Sequence, residues 1–246
     1  MESADFNSSG SNSLVPKHVG FILDGNRRWM KSKNLLGIEH KIGADKVEKL
    51  IDWSYELDIK AITLYVLSTE NLVRNCDYLE DLFKLMEERL ERLYSDPNLH
   101  KRKMRITAIG DTTLLPDKIQ KMFVKLDKAT TDYDGQYVNF AVAYGGRHEI
   151  VHAVKKLCGK IKDGHISIED IDEKAIESCL YTSNLPNPQP DLIIRTAGEK
   201  RLSGFLLWQC AYSELIFLDM LWPEFEKKNL VESIKMYQSR GRRFGK

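Results

Sequence analysis

The 246 residues carry 37 Lys and Arg against 36 Asp and Glu, a formal net charge of +1 that gives no reason to expect nucleic acid or another polyanion as partner. Hydrophobic residues at 42% and charged residues at 30% are ordinary for a globular chain with one sizeable core. No apolar run approaches the ~18–20 residues of a membrane-crossing helix, and Cys76, Cys158, Cys179 and Cys210 are scattered with no Cys-x-x-Cys pair, the pattern of reduced thiols in a cytoplasmic protein.

Residues 1–16 are Ser- and Asn-rich, lack the apolar stretch of a signal peptide, and read as a disordered leader before one domain at 17–246. The apolar run 18–23 is too short for a helix and ends in Asp24-Gly25-Asn26, which predicts a buried strand and a tight loop. Val47, Leu50, Ile51 and Ser54 share one face of a helix that runs to about Leu57, and residues 61–67 form a second strand. Leu79, Leu82, Phe83, Met86, Leu90 and Leu93 recur at helical spacing. Residues 105–109 predict a strand, Pro116 opens a helix to about Ala129, and 138–144 is a strand closed by Gly145-Gly146 and followed by a helix to Lys160. Residues 191–194 and 213–218 complete the strands, with a final helix near 230–239. This alternation predicts an α/β fold, a single domain with one parallel sheet of about six strands flanked by helices.

Ligands of such sheets bind at the carboxyl ends of the strands. Four polar loops fall there: Asp24 to Arg28, Ser68 to Asn71, Gly145 to Arg147, and Arg195-Thr196. Arg28, Arg74, Arg147, Arg195 and Arg201 supply forks that match phosphate oxygens, while the glycines and the helix expected after Gly25 offer N–H groups. The rim therefore predicts a site for one or more phosphate groups. The chain has neither a P-loop nor a dinucleotide fingerprint. Asp24 stands where it could hold Mg²⁺ against a diphosphate; as a plain turn residue it would cap its loop instead. His148-Glu149-Ile150-Val151-His152 fits the zinc-peptidase pattern, but the metzincin extension fails at Cys158, and neither Glu169 nor Glu173 sits in a supporting motif.

The loops resemble those of the cis-prenyltransferases, the undecaprenyl diphosphate synthase family, from His18 to Phe244. The resemblance rests on DGNRRW (24–29), TLYVLSTENLVR (63–74), AYGGRHEI (143–150), the long block 191–217 and WPEF (222–225). The double arginine after Asn26 looks more like archaeal and eukaryotic members. The resemblance implies a homodimer that condenses isopentenyl diphosphate with an allylic prenyl diphosphate and releases diphosphate. It also implies roles for individual residues. Asp24 would bind Mg²⁺ and help the allylic diphosphate depart, and Asn71 would orient the reacting groups with Ser68 and Arg74. Gly25, Asn26, Arg27, Arg28, Trp29 and His40 would belong to the allylic site. Arg195, Arg201 and Ser203 would grip isopentenyl diphosphate, Glu214 would be a second Mg²⁺ contact, and Glu149 fills a position that is acidic in the family. Taken singly, His40 also reads as a surface histidine, Ser68 as a cap, and Arg240 to Arg243 as either a solvated tail or a cover for the diphosphates.

The stripe on residues 79–93 reads as core, with Leu67, Leu82, Phe83 and Met86 as candidates for the wall of a product tunnel. A long, insoluble product would bring the enzyme to a membrane surface. Three positions depart from the family pattern: Leu36-Gly37-Ile38-Glu39 precedes His40 where the family has Arg-x-x-Gly, Leu72 replaces an aromatic, and Gly204 replaces Asn. These changes fall mainly on the allylic side and point to an unusual donor, a short product or an irregular condensation. A non-catalytic partner subunit would tend to lose Asp24, which is present here.

Overall fold

The computed structural model describes residues 15–34, 39–73 and 76–240, without the side chains of 39, 40 and 76–78. Six strands form one parallel sheet: β1 (His18–Ile22), β2 (Ala61–Tyr65), β3 (Met104–Ile109), β4 (Gln136–Ala141), β5 (Leu192–Arg195) and β6 (Glu214–Phe217), in the order β3-β4-β2-β1-β5-β6. The helices are α1 (Asn26–Ser32), α2 (Glu39–Glu56), α3 (Cys76–Ser95), α4 (Pro97–Lys101), α5 (Asp117–Ala129), α6 (Gly146–Lys162), α7 (Glu173–Glu177) and α8 (Lys227–Ser239).

All six predicted strands are present, and so are the five long helices. The differences are local. The helix expected after the loop at Gly25 begins at once, taking in residues 26–32, because Gly25 makes a left-handed turn (φ 110°) and Asn26 follows directly into α1. Short helices α4 and α7 were not expected; each starts at an aspartate, Asp96 or Asp172, whose carboxylate accepts a main-chain N–H. Order also begins before residue 17, since Val15 packs against the core and Pro16 is buried; residues 1–14 of the expected leader lie outside the described residues.

Both faces of the sheet are covered, so its strands read as nearly continuous apolar runs. Val19, Phe21, Ile62, Leu64, Ile106, Val138, Leu192, Ile194 and Ile216 point into the larger cluster, with Leu50, Ile51, Met86 and Leu90 of α2 and α3, Phe123 of α5, and Leu230 of α8. Ile22, Ile109, Ala141 and Ile193 point the other way, onto Tyr144, Phe205 and Leu206. The register aligns the strand ends: Ile109 pairs with Ala141, Ala141 with Tyr65, Tyr65 with Ile22, Ile22 with Arg195, and Arg195 with Phe217. One level of residues thus forms the carboxyl rim. The chain order turns around β1, which lies between β2 and β5, and the loops after β1 and β5 meet there.

Candidate active site

Asp24 and Arg195 meet across that turning point. Arg195 Nη2 donates to Asp24 Oδ2 at 2.8 Å. Its Nη1 donates to Ser203 Oγ at 3.0 Å and also to the Arg201 carbonyl. The arginine side chain is only 4% exposed while Asp24 is 40% exposed, so a nearly dry cation carries a carboxylate that still faces solvent. Main-chain contacts hold Asp24 in turn. Its N–H donates to Thr196 Oγ1 at 3.0 Å, and its carbonyl accepts from Thr196 Oγ1 at 2.7 Å and from Trp222 N at 3.0 Å. Gly25 has to be glycine: at φ 110° a Cβ would also press within 3.0–3.1 Å of Leu221.

The second Asp24 oxygen accepts from the Gly25 N–H at 3.1 Å. A half-exposed carboxylate beside arginines suits Mg²⁺, which takes one or two carboxylates and completes its shell with water and phosphate oxygens. Glu214 does not join it within one chain. It pairs with Leu192 in the sheet, three residues and roughly 10 Å below the level of Arg195, and accepts from Arg240 at 2.8 Å.

From this pair a cavity of about 570 Å³ runs between the sheet and helices α2 and α3. Gly25, Asn26, Arg27, Arg28, Ser68, Asn71 and Ser203 line its mouth with Asp24 and Arg195. Farther in, the wall is apolar: Val47, Ile51, Leu67, Leu82, Met86 and Phe140 are among its residues. The far end is charged, with Arg102 on Asp52 at 2.5 Å and Arg89 on Glu48 at 2.8 Å. Phe83 is not part of the wall; it packs against the main core instead. Trp29, half-buried in α1, also stays outside the lining.

Ser68 caps the turn Thr69–Asn71, its Oγ accepting from Asn71 N at 3.2 Å, so the capping role is real and fixes Asn71 at the mouth. Arg201 stands on the rim, where Glu199 bridges it (2.5 Å) to Arg28 (3.7 Å). Arg147 is exposed in the first turn of α6. Glu149 is buried and fully engaged: it accepts from the Tyr144 hydroxyl, from Tyr181 N at 2.8 Å, and from Gln209 Nε2 at 3.0 and 3.1 Å. That leaves no free carboxylate for the base of a zinc peptidase. Among the described residues no group of three His, Cys, Asp or Glu side chains is placed to share an ion. Arg74, the His40 side chain and residues 241–246 lie outside the described residues.

Sequence reasoning passed over Glu199, Tyr65 and the double contact of Thr196, none of which stands in a pattern of its own. The rim is strained as well as charged. Ala143 (φ 45°), Ala197 (φ 77°), Ser203 (φ 49°) and Leu206 (φ 45°) are left-handed without being glycine, a conformation costing on the order of 1–3 kcal/mol each that gathers at functional sites.

The family model described as "Putative undecaprenyl diphosphate synthase" matches residues 22–245. The chain belongs to this family, the cis-prenyltransferases. It is 46% identical over 236 residues to the tritrans,polycis-undecaprenyl-diphosphate synthase (geranylgeranyl-diphosphate specific) of Methanopyrus kandleri, covering 94% of this chain and 85% of that protein. The protein of the same description from Methanocaldococcus jannaschii is 44% identical over 94% of this chain and 83% of its own. Among solved structures, lavandulyl diphosphate synthase from Lavandula x intermedia, in complex with dimethylallyl diphosphate, superposes with a TM-score of 0.89 at 34% identity, over 94% of this chain and 99% of that one. This cis-prenyltransferase therefore condenses isopentenyl diphosphate with an allylic prenyl diphosphate and releases diphosphate. No helix among its described residues is long and apolar enough to cross a membrane.

Proposed function

We propose that this cis-prenyltransferase extends a geranylgeranyl-length allylic diphosphate into a long polycis chain. The observation that carries the reading is the apolar cavity that leads inward from the Asp24–Arg195 pair, an enclosure for hydrocarbon attached to a charged mouth. Relatives at 44–46% identity described as geranylgeranyl-diphosphate specific support the donor.

In the reaction the allylic C1–O bond breaks, C1 joins C4 of isopentenyl diphosphate, and a proton leaves C2. Negative charge builds on the departing diphosphate. Gly25, Asn26, Arg27 and Arg28 would hold that group with His40, and Asn71, supported by Ser68 and joined by Arg74, would orient the reacting carbons. Arg195, Ser203 and Arg201 would bind isopentenyl diphosphate; cations and N–H donors fixed in advance act where the charge develops. Glu199 would release Arg28 and Arg201 as the diphosphates arrive. Mg²⁺, held by Asp24, would supply charge neutralisation of the leaving group. Glu214 could contribute only from another chain or after rearrangement.

A homodimer goes with this reading, and Val151 and Val154, exposed on α6, offer an apolar strip for it. So does a cytoplasmic setting, since Cys158, Cys179 and Cys210 are unbridged; the product would draw the enzyme to a membrane surface. A second reading, irregular condensation or a short product, is favoured by Glu39 and the missing arginine before His40 and by the likeness to lavandulyl diphosphate synthase. Mass analysis of products from labelled isopentenyl diphosphate and donors of several lengths decides between them. A ladder of five-carbon additions, best from geranylgeranyl diphosphate, is expected. A single short product made from dimethylallyl diphosphate alone would replace this reading with the second.

A further inference from the structure

Tyr65 ends β2 at the cavity mouth, level with Ile22 and Arg195. Its hydroxyl carries one hydrogen and faces two main-chain carbonyls, Ser203 O at 3.2 Å and Tyr144 O at 3.3 Å. The two carbonyls belong to different halves of the site. Tyr144 O also accepts from Thr69 N at 3.1 Å, and so anchors the turn that presents Ser68 and Asn71. Ser203 stands in the loop that carries the isopentenyl-side contacts, with its Oγ on Arg195.

That loop needs an external hold. Ser203 (φ 49°), Gly204 (φ 82°) and Leu206 (φ 45°) are all left-handed, and such backbone persists only where surrounding contacts over-determine it. Besides Tyr65, the loop is held by the Arg195 contacts on the Ser203 side chain and the Arg201 carbonyl, by the bond from Gly146 N to Gly204 O at 2.8 Å, and by its own Phe205 N to Leu202 O bond at 3.0 Å. The ring of Tyr65 is itself immobilised, stacked on Phe205 with centroids 4.8 Å apart and edge-on to Tyr144 at 5.9 Å. Burial pushes the phenol up to about 12, so it remains an O–H donor throughout the working pH range.

We propose that Tyr65 is a positioning residue: its hydroxyl, shared between Ser203 O and Tyr144 O, sets the isopentenyl loop at a fixed distance from the turn bearing Asn71. The inference rests on the reading that Arg195 and Ser203 bind isopentenyl diphosphate. It assigns Tyr65 no contact with the reacting atoms.

Tyr65→Phe tests it, because phenylalanine keeps the stack on Phe205 and removes only the hydroxyl. Isopentenyl diphosphate alone has no allylic leaving group and does not react, so its affinity can be measured by calorimetry. The loss of one neutral hydrogen bond should weaken it about 3–10-fold. KM for isopentenyl diphosphate should rise by the same factor, with kcat within about twofold and KM for the allylic donor unchanged. Thermal melting reports whether the variant is folded, and Tyr65→Trp, another aromatic without the hydroxyl, should show the same selective loss if it folds. Unchanged isopentenyl diphosphate affinity overturns the proposal. So does a fall in kcat at constant KM, which would make the hydroxyl a catalytic group, or equal weakening of both substrates, which would make it general support for the rim. Failure of the wild-type protein to bind isopentenyl diphosphate at all would sink the reading of the site, a result distinct from any of these.

Discussion

Arg195 and Asp24 lie 171 residues apart in the chain and 2.8 Å apart in space. In the proposed reading the pair would join the two half-sites directly: the residue proposed for the allylic diphosphate is the counter-ion of the one proposed for isopentenyl diphosphate. Arg195 is buried to 4% exposure and its Nε has no partner, so its charge is compensated almost entirely by what Nη1 and Nη2 touch. Removing the carboxylate by Asp24→Ala strands that cation. Breaking a fully buried pair costs about 3–5 kcal/mol; with Asp24 40% exposed, a loss of roughly 1–2 kcal/mol in stability is expected. Turnover should fall by at least about 10²–10³-fold, the scale seen when a single charge-stabilising group is lost. Circular dichroism should still show a folded protein, and unchanged activity would remove Asp24 from the mechanism.

Gly204 explains one departure from the family pattern. At φ 82° it sits in the left-handed region that glycine and asparagine both visit, and a Cβ there would have its nearest neighbour, Gly146 N, at 3.8 Å. Gly204→Asn should therefore leave KM for isopentenyl diphosphate within about twofold. Gly204→Val places a β-branched side chain at positive φ, and the strain of about 1–3 kcal/mol should appear as a raised KM or a lowered melting temperature. Steady-state kinetics on both variants check the contrast. If the asparagine variant loses isopentenyl diphosphate binding, glycine is needed there for a reason other than backbone conformation.

The strands were legible because each is a short apolar run closed by a polar turn, and the rim followed from the rule that ligands gather at strand ends. The bounds of helix α1 were not, since Asn26–Ser32 buries only Met30 and shows no apolar period. The geometry of the pair at Asp24, the bridge made by Glu199 and the hold by Tyr65 depend on side chains brought together over long separations, which local pattern does not encode. The same holds for Phe83 and Met86: both sit on the helical stripe of α3 and both pack with the main core, and only the structure shows that Met86 also reaches the cavity.

His18 makes stability pH-dependent away from the active site. It is buried in β1, with Nδ1 against Asn187 O and Nε2 against Thr63 Oγ1, both at 2.8 Å. Burial lowers its pKa from 6.5 to about 4, opposed by the Asn187 contact and by Asp191. The folded state therefore binds its proton less readily than the unfolded state. Its contribution is present above pH 6.5 and is lost as pH falls through the window from 6.5 to about 4, by a total of about 3 kcal/mol. Melting temperatures of wild type and His18→Gln across that window should converge toward the acid end. Parallel curves would show that this histidine does not titrate as its burial implies.

The apolar wall predicts what controls product length. Met86 of α3, 9% exposed, belongs to the core cluster and also lines the cavity, whereas Phe83, one turn away on the same helix, packs against the core without reaching the cavity. Met86→Trp adds bulk where a growing chain would pass, and truncated products are expected with KM for isopentenyl diphosphate little changed. Phe83→Ala removes core contacts and should cost roughly 2–3 kcal/mol, at the low end for a large-to-small change because the site is only partly buried. Its product lengths should stay those of the wild type. Chromatography of the dephosphorylated products separates the two effects, since only a residue on the wall should shift the ladder, whatever its substitution does to the melting temperature. A ladder unchanged in Met86→Trp would mean that the hydrocarbon leaves the mouth by another path.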